Sequence, residues 1–100
     1  RRNGFTYRVR LKDMDFDKNA VIEFKKQKDV IVERLNKKGK TFKINLKNVV
    51  SNIAFASEKE IKFILKPENG KIVRPHEVLK KIFGLTNNQI TQAQVVKIRS

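Results

Sequence analysis

Phe5-Thr6-Tyr7-Arg8-Val9-Arg10-Leu11 alternates apolar and polar residues without a break. Phe5, Tyr7, Val9 and Leu11 share one parity, and Thr6, Arg8 and Arg10 share the other. Successive side chains of a strand point to opposite faces, so this stretch reads as a strand with one face buried and one in water. The pattern recurs from Thr41 to Lys47, where Phe42, Ile44 and Leu46 alternate with Lys43, Asn45 and Lys47. It recurs again where Ile61, Phe63 and Leu65 alternate with Lys62, Ile64 and Lys66.

The segments between these strands fill in the rest of the fold. Val30, Ile31 and Val32 make Asp29 to Asn36 a β-branched strand, and Lys37-Lys38-Gly39-Lys40 is a turn into the strand that begins at Thr41. That is a hairpin, with Gly39 supplying the permissive turn conformation. Asp17 is the expected N-cap of a helix over 18–27, with Phe16 and Val21 as its hydrophobic staple and Lys25, Lys26 and Lys28 at its negative pole. Val49 to Ala56 reads equally as strand or irregular chain, and Pro67-Glu68-Asn69-Gly70 breaks the strand before it. Pro75 suits a first helical position, Val78, Leu79, Ile82 and Phe83 follow at helical spacing, and Gly84 closes that helix. Thr86 to Thr91 reads as a loop or one helical turn, and Ala93 to Arg99 as a closing strand.

The order β-α-β-β-(β)-β-α-β with short links predicts an α+β fold: a mostly antiparallel sheet of about five strands with two helices packed on one face. Phe5, Tyr7, Phe42, Phe63 and Phe83 are then expected in the core. The opposite face would carry Arg8, Arg10, Lys12, Lys43, Lys47, Lys62 and Lys66.

The 100 residues are one domain's worth, so 1–100 is read as a single α+β domain. Its abrupt start at Arg1-Arg2-Asn3-Gly4, leading straight into a strand pattern, reads as a domain cut from a longer chain and not as a signal peptide. Hydrophobic residues make up 39% and are dispersed, which argues against disorder. No apolar run approaches the ~20 residues that a membrane-spanning helix needs, so no membrane partner is expected and the cytoplasm is the expected compartment. Cysteine is absent, which excludes disulfides and thiolate zinc sites.

Twenty-four Lys and Arg face ten Asp and Glu, for a net charge of +14, and the excess is localised. Arg34 to Ser57 holds six basic residues and no acid, and Val78 to Ser100 holds four and no acid, so these two runs carry ten of the fourteen charges. Such a balance concerns partners, not fold. Usage rich in Lys, Asn and Ile also fits a genome biased toward A and T, which would raise lysine without a functional reason.

No catalytic or metal constellation is legible, and no cofactor is expected. His76 is the only histidine, the acidic residues are scattered, and no glycine cluster suggests a phosphate loop. The basic residues have a clearer physical use, because Lys and Arg clusters displace condensed counterions from a phosphate backbone. The hairpin places Arg34, Lys37, Lys38, Lys40 and Lys43 together. Arg8, Arg10 and Lys47 extend the basic set along the sheet, and Arg74 stands just before a helix start, where it could hold a phosphate or pair with Glu68 or Glu77. The aromatics fall on the apolar parity of each strand, so a stacking platform for bases is not expected.

Three stretches together carry a family resemblance. They are Phe5 to Leu11; Val32-Glu33-Arg34 followed by Lys37 to Thr41 and Ile44-Asn45-Leu46; and Gly70-Lys71-Ile72-Val73-Arg74-Pro75-His76-Glu77-Val78-Leu79 with Gly84-Leu85. The chain resembles the C-terminal half of the bacterial radical-SAM-linked proteins, a family of unknown function encoded beside, or fused to, a radical SAM protein. The resemblance implies a radical SAM partner and a setting near RNA-processing and ribosomal genes. His76 stands where that family commonly has an acidic or polar residue. The expectation is therefore a non-catalytic domain binding RNA or ribonucleoprotein. The alternative is a protein–protein adaptor for a radical SAM enzyme, with lysines serving solubility. A third reading is part of an enzyme whose active site lies in the missing half.

Overall fold

The structure is a computed structural model and describes residues 4–68 and 70–98. Its elements are β1 (Phe5–Arg10), α1 (Lys18–Lys26), β2 (Ile31–Leu35), β3 (Thr41–Asn45), α2 (Leu46–Val49), β4 (Val50–Ser57), β5 (Glu60–Leu65), α3 (Pro75–Phe83), α4 (Asn87–Gln92) and β6 (Gln94–Ile98). The fold is α+β and its ladders are antiparallel. The strands divide, however, into a four-stranded sheet ordered β4-β5-β1-β6 and a separate β2-β3 hairpin.

Asn45 explains the division. Its side-chain oxygen accepts the N–H groups of Val30 and Lys47, each at 3.0 Å, while its amide donates to Asp29 at 2.8 Å. One residue thus closes the hairpin at its open end and N-caps α2, a single turn that redirects the chain into β4. The alternation read as continuing to Lys47 ends at Asn45 for this reason. β4 fills the segment read two ways, and Asn52 (φ 53°) provides the kink that shifts its register on β5 between Ser51 and Ala54.

The short helix α2 lies beyond the pair expected. Of the loop or helical turn read at Thr86 to Thr91 the structure has the helix, α4, where Thr86 as N-cap and Gln89 form a reciprocal capping box. The two longer helices follow their local signals. Asp17 accepts from the Asn19 N–H at 2.9 Å to cap α1. Pro75 opens α3, and Gly84 at φ 65° ends it in the left-handed conformation that only glycine adopts without cost.

The core lies under one face of the four-stranded sheet. Val9, Ile61, Phe63 and Leu65 are buried with Val21 and Phe24 of α1 and Val78 and Leu79 of α3. Phe16 meets Phe83 at 4.9 Å between ring centroids. Burying side chains of this size is worth about 1.5–3 kcal/mol each. The expected aromatic core is met fully by Phe63 only. Tyr7, Phe42 and Phe83 are half-buried, and Phe5 is 47% exposed. Phe5 lies at the end of β1, beside the buried Leu65 of β5, and its ring is covered by Lys97 of β6 at 3.8 Å. Arg99, the expected end of the closing strand, and Asn69, within the expected strand break, lie outside the described residues.

Candidate functional site

The β2-β3 turn is built by Asn36. Its N–H donates to the Lys40 carbonyl at 2.9 Å, and its side-chain oxygen accepts the N–H groups of Lys38 and Lys40, each at 2.9 Å. Gly39, at φ 83°, donates to the Asn36 carbonyl at 3.0 Å. An asparagine at this position thus replaces backbone partners that the turn could not otherwise supply. Lys37, Lys38 and Lys40 project from this hydrogen-bonded turn into water, and Lys43 follows on the outer face of β3. Among the described residues, none of these four makes an ion pair.

The other cations expected at the site are placed differently. Arg34 has the parity of Val32 and Phe42, so it reaches inward from the hairpin and is only 28% exposed. Its guanidinium donates to the Ile72 carbonyl and pairs with Glu77 at 3.2 Å. Glu77 also accepts the Arg74 N–H at 3.1 Å, so one carboxylate starts α3 and anchors the hairpin to it. Arg74 therefore meets Glu77 through its backbone, and its exposed guanidinium makes no ion pair among the described residues. Arg8 and Arg10 lie on the other sheet, and both pair with Glu60, at 2.9 and 3.1 Å.

Lys47 leaves the exposed face altogether. Its ammonium donates to the carbonyls of Phe24 and Lys25 at 2.7 and 3.3 Å and sits 4.5 Å from the Phe24 ring centroid. It satisfies carbonyls at the end of α1, where a cation also suits the helix dipole. Lys47 is thus a structural residue, and strand parity could not reveal this because α2 turns the chain before it.

A groove of about 730 Å³ runs between β2 and α3, with Arg74, His76, Lys80 and Lys81 along its α3 side and Glu33 on its β2 side. Lys80 and Lys81 escaped the residue-level reading. Their signal was the second acid-free run, which the fold brings against the first. Among the described residues no three His, Asp or Glu side chains converge as a metal cage would need, and no described helix is long and apolar enough to cross a membrane.

No curated protein and no solved structure matches the chain. A family described as an uncharacterized protein conserved in bacteria (DUF2344) matches residues 1–75. The match takes in β1 to β5, the hairpin turn and Arg74, and stops at the first residue of α3. With three quarters of its length matched, the chain belongs to this bacterial family, DUF2344.

Proposed function

We propose that this chain is a non-catalytic binding domain whose ligand is RNA or a ribonucleoprotein. The observation that carries the reading is the hairpin tip. Lys37, Lys38 and Lys40 stand on a turn held by four hydrogen bonds to one asparagine, Lys43 follows on β3, and none of the four is in an ion pair among the described residues. Arg8, Arg10 and Arg34, by contrast, already hold carboxylates. Cations that need not break an ion pair release phosphate counterions at least cost, so affinity concentrates at the tip.

The mode is recognition of the sugar–phosphate backbone. Phe16, Phe24 and Phe63 are buried, Tyr7, Phe42, Phe55 and Phe83 are half-buried, and the exposed Phe5 ring is occupied by Lys97, so no fully open ring is offered to a base. Titration of single-stranded RNA at several salt concentrations tests this. With about four phosphates neutralised, at ~0.7 per contact, log affinity against log salt should fall with a slope near −3. A flat response would overturn the reading.

A second reading is an adaptor that docks a radical SAM protein, the partner implied by the resemblance in the strand, hairpin and Val73-Arg74-Pro75 stretches. The exposed apolar side chains Leu35 and Ile72, beside the basic surface, favour it. A pull-down of a purified radical SAM protein that survives high salt, with no binding of RNA, would put this reading in place of the first.

A further inference from the structure

The hydrogen bonds of the hairpin define which edge of β2 is open. Leu46 donates to the Val30 carbonyl at 2.7 Å, and Asn36 donates to the Lys40 carbonyl at 2.9 Å. In an antiparallel pair, residues that exchange bonds with the partner alternate with residues that do not. The register runs Val32 to Ile44 and Arg34 to Phe42 between those two anchors. Even-numbered residues therefore bond to β3, and Ile31, Glu33 and Leu35 turn their N–H and C=O groups away from it. β2 has no second neighbouring strand. The groove beside α3 is lined by all five residues of β2 and by none of β3, so it follows this open edge.

We propose that this groove takes an extended acidic peptide of a protein partner, added as a strand to β2. Three features choose this occupant. The edge offers donors and acceptors in the two-residue repeat that another strand matches and that a bare hydrophobic cleft would lack. The far wall carries Arg74, Lys80 and Lys81, none in an ion pair among the described residues, which suits carboxylates at alternate positions. Ile31 and Leu35, 40% and 70% exposed on the outer face, suit apolar residues at the positions between. A phosphodiester fits less well, because it has no donor for the edge carbonyls. The RNA reading rests on the hairpin-tip lysines, none of which lines this groove, so the two can fail separately.

The test uses a short soluble peptide alternating Asp and Val, followed by amide chemical shifts of the labelled chain. The expected result is perturbation at Ile31, Glu33 and Leu35 with the turn at Lys37 to Lys40 unchanged. Glu33→Pro removes an outward N–H while leaving the bonds to β3 intact, and it also removes an acid facing the ligand. Electrostatics alone would therefore tighten binding, whereas loss of the edge should weaken it about tenfold. Glu33→Gln, which changes only the charge, should not weaken it. Should Glu33→Pro fail to fold, N-methylation of the peptide backbone makes the same test from the ligand side. Lys80→Ser with Lys81→Ser should weaken the peptide and leave RNA affinity as it is. Shifts confined to the turn, equal binding of the N-methylated peptide, or displacement of the peptide from the β2 amides by poly-uridine would each overturn the inference. In the last case the groove belongs to nucleic acid.

Discussion

Lys38 and Lys40 show how a single side chain's worth depends on what holds its backbone. Asn36 fixes both N–H groups, so the two side chains start from a defined backbone and little backbone freedom is lost on binding. Replacing both with Ser should lower the RNA salt slope by about 1.4, two contacts' worth, and leave the melting temperature unchanged, because exposed lysines add little stability. Lys25 and Lys26 at the end of α1 carry the same charge elsewhere. Their replacement should leave the slope as it was, and an equal loss from both pairs would mean that charge acts as a diffuse field. Burial grades the aromatics in the same residue-by-residue way. Phe63→Ala should cost about 3–5 kcal/mol, and Phe42→Ala, from a half-buried ring, roughly half as much. Denaturant melts that reverse this order would contradict the sheet assignment.

At the scale of elements, the hairpin is held at both ends by asparagines. Asn36 makes the turn, and Asn45 ties Asp29, Val30 and α2 together at the open end. Two strands alone are marginal in water, so these clips and the Arg34–Glu77 pair decide whether the hairpin keeps its place against α3. Asn45→Ala removes the cap of α2 and leaves the Val30 N–H unpaired, at a cost of about 2 kcal/mol. Hydrogen exchange should then rise in β2 and β3 ahead of β1 and β5. Uniform loss across both sheets would show that the hairpin does not open as a separate unit. An open β2 edge on such a unit is also the part of the fold most able to accept another strand.

For the molecule as a whole, a net charge of +14 on 100 residues opposes compaction. The described residues hold only four ion pairs, two of them sharing Glu60, so most cations face water without a partner. Repulsion should therefore outweigh attraction. Adding salt to about 0.2 M, which shortens the screening length below ~10 Å, should raise the melting temperature by a few degrees. A fall would mean that the ion pairs dominate. The same salt should weaken RNA binding, so stability and affinity are expected to move in opposite directions in one titration.

The strands β1, β3 and β5, the hairpin turn at Gly39 and both longer helices with their caps were legible in the sequence. Their signals are periodicity and capping, which act over a few residues. The division into two sheets was not legible, because it depends on Asn45 reaching Val30, fifteen residues away. Nor was the sorting of the cations. Lys37, Lys38, Arg34 and Lys47 all read as exposed basic residues, yet Arg34 meets a carboxylate brought in by α3, and Lys47 meets carbonyls at the end of α1. The sequence by itself determined how much positive charge there is and on which strands it falls. Only the tertiary structure decided which of it is already spent, because an ion pair depends on distance in space, and parity along a strand carries no information about what a distant segment places opposite.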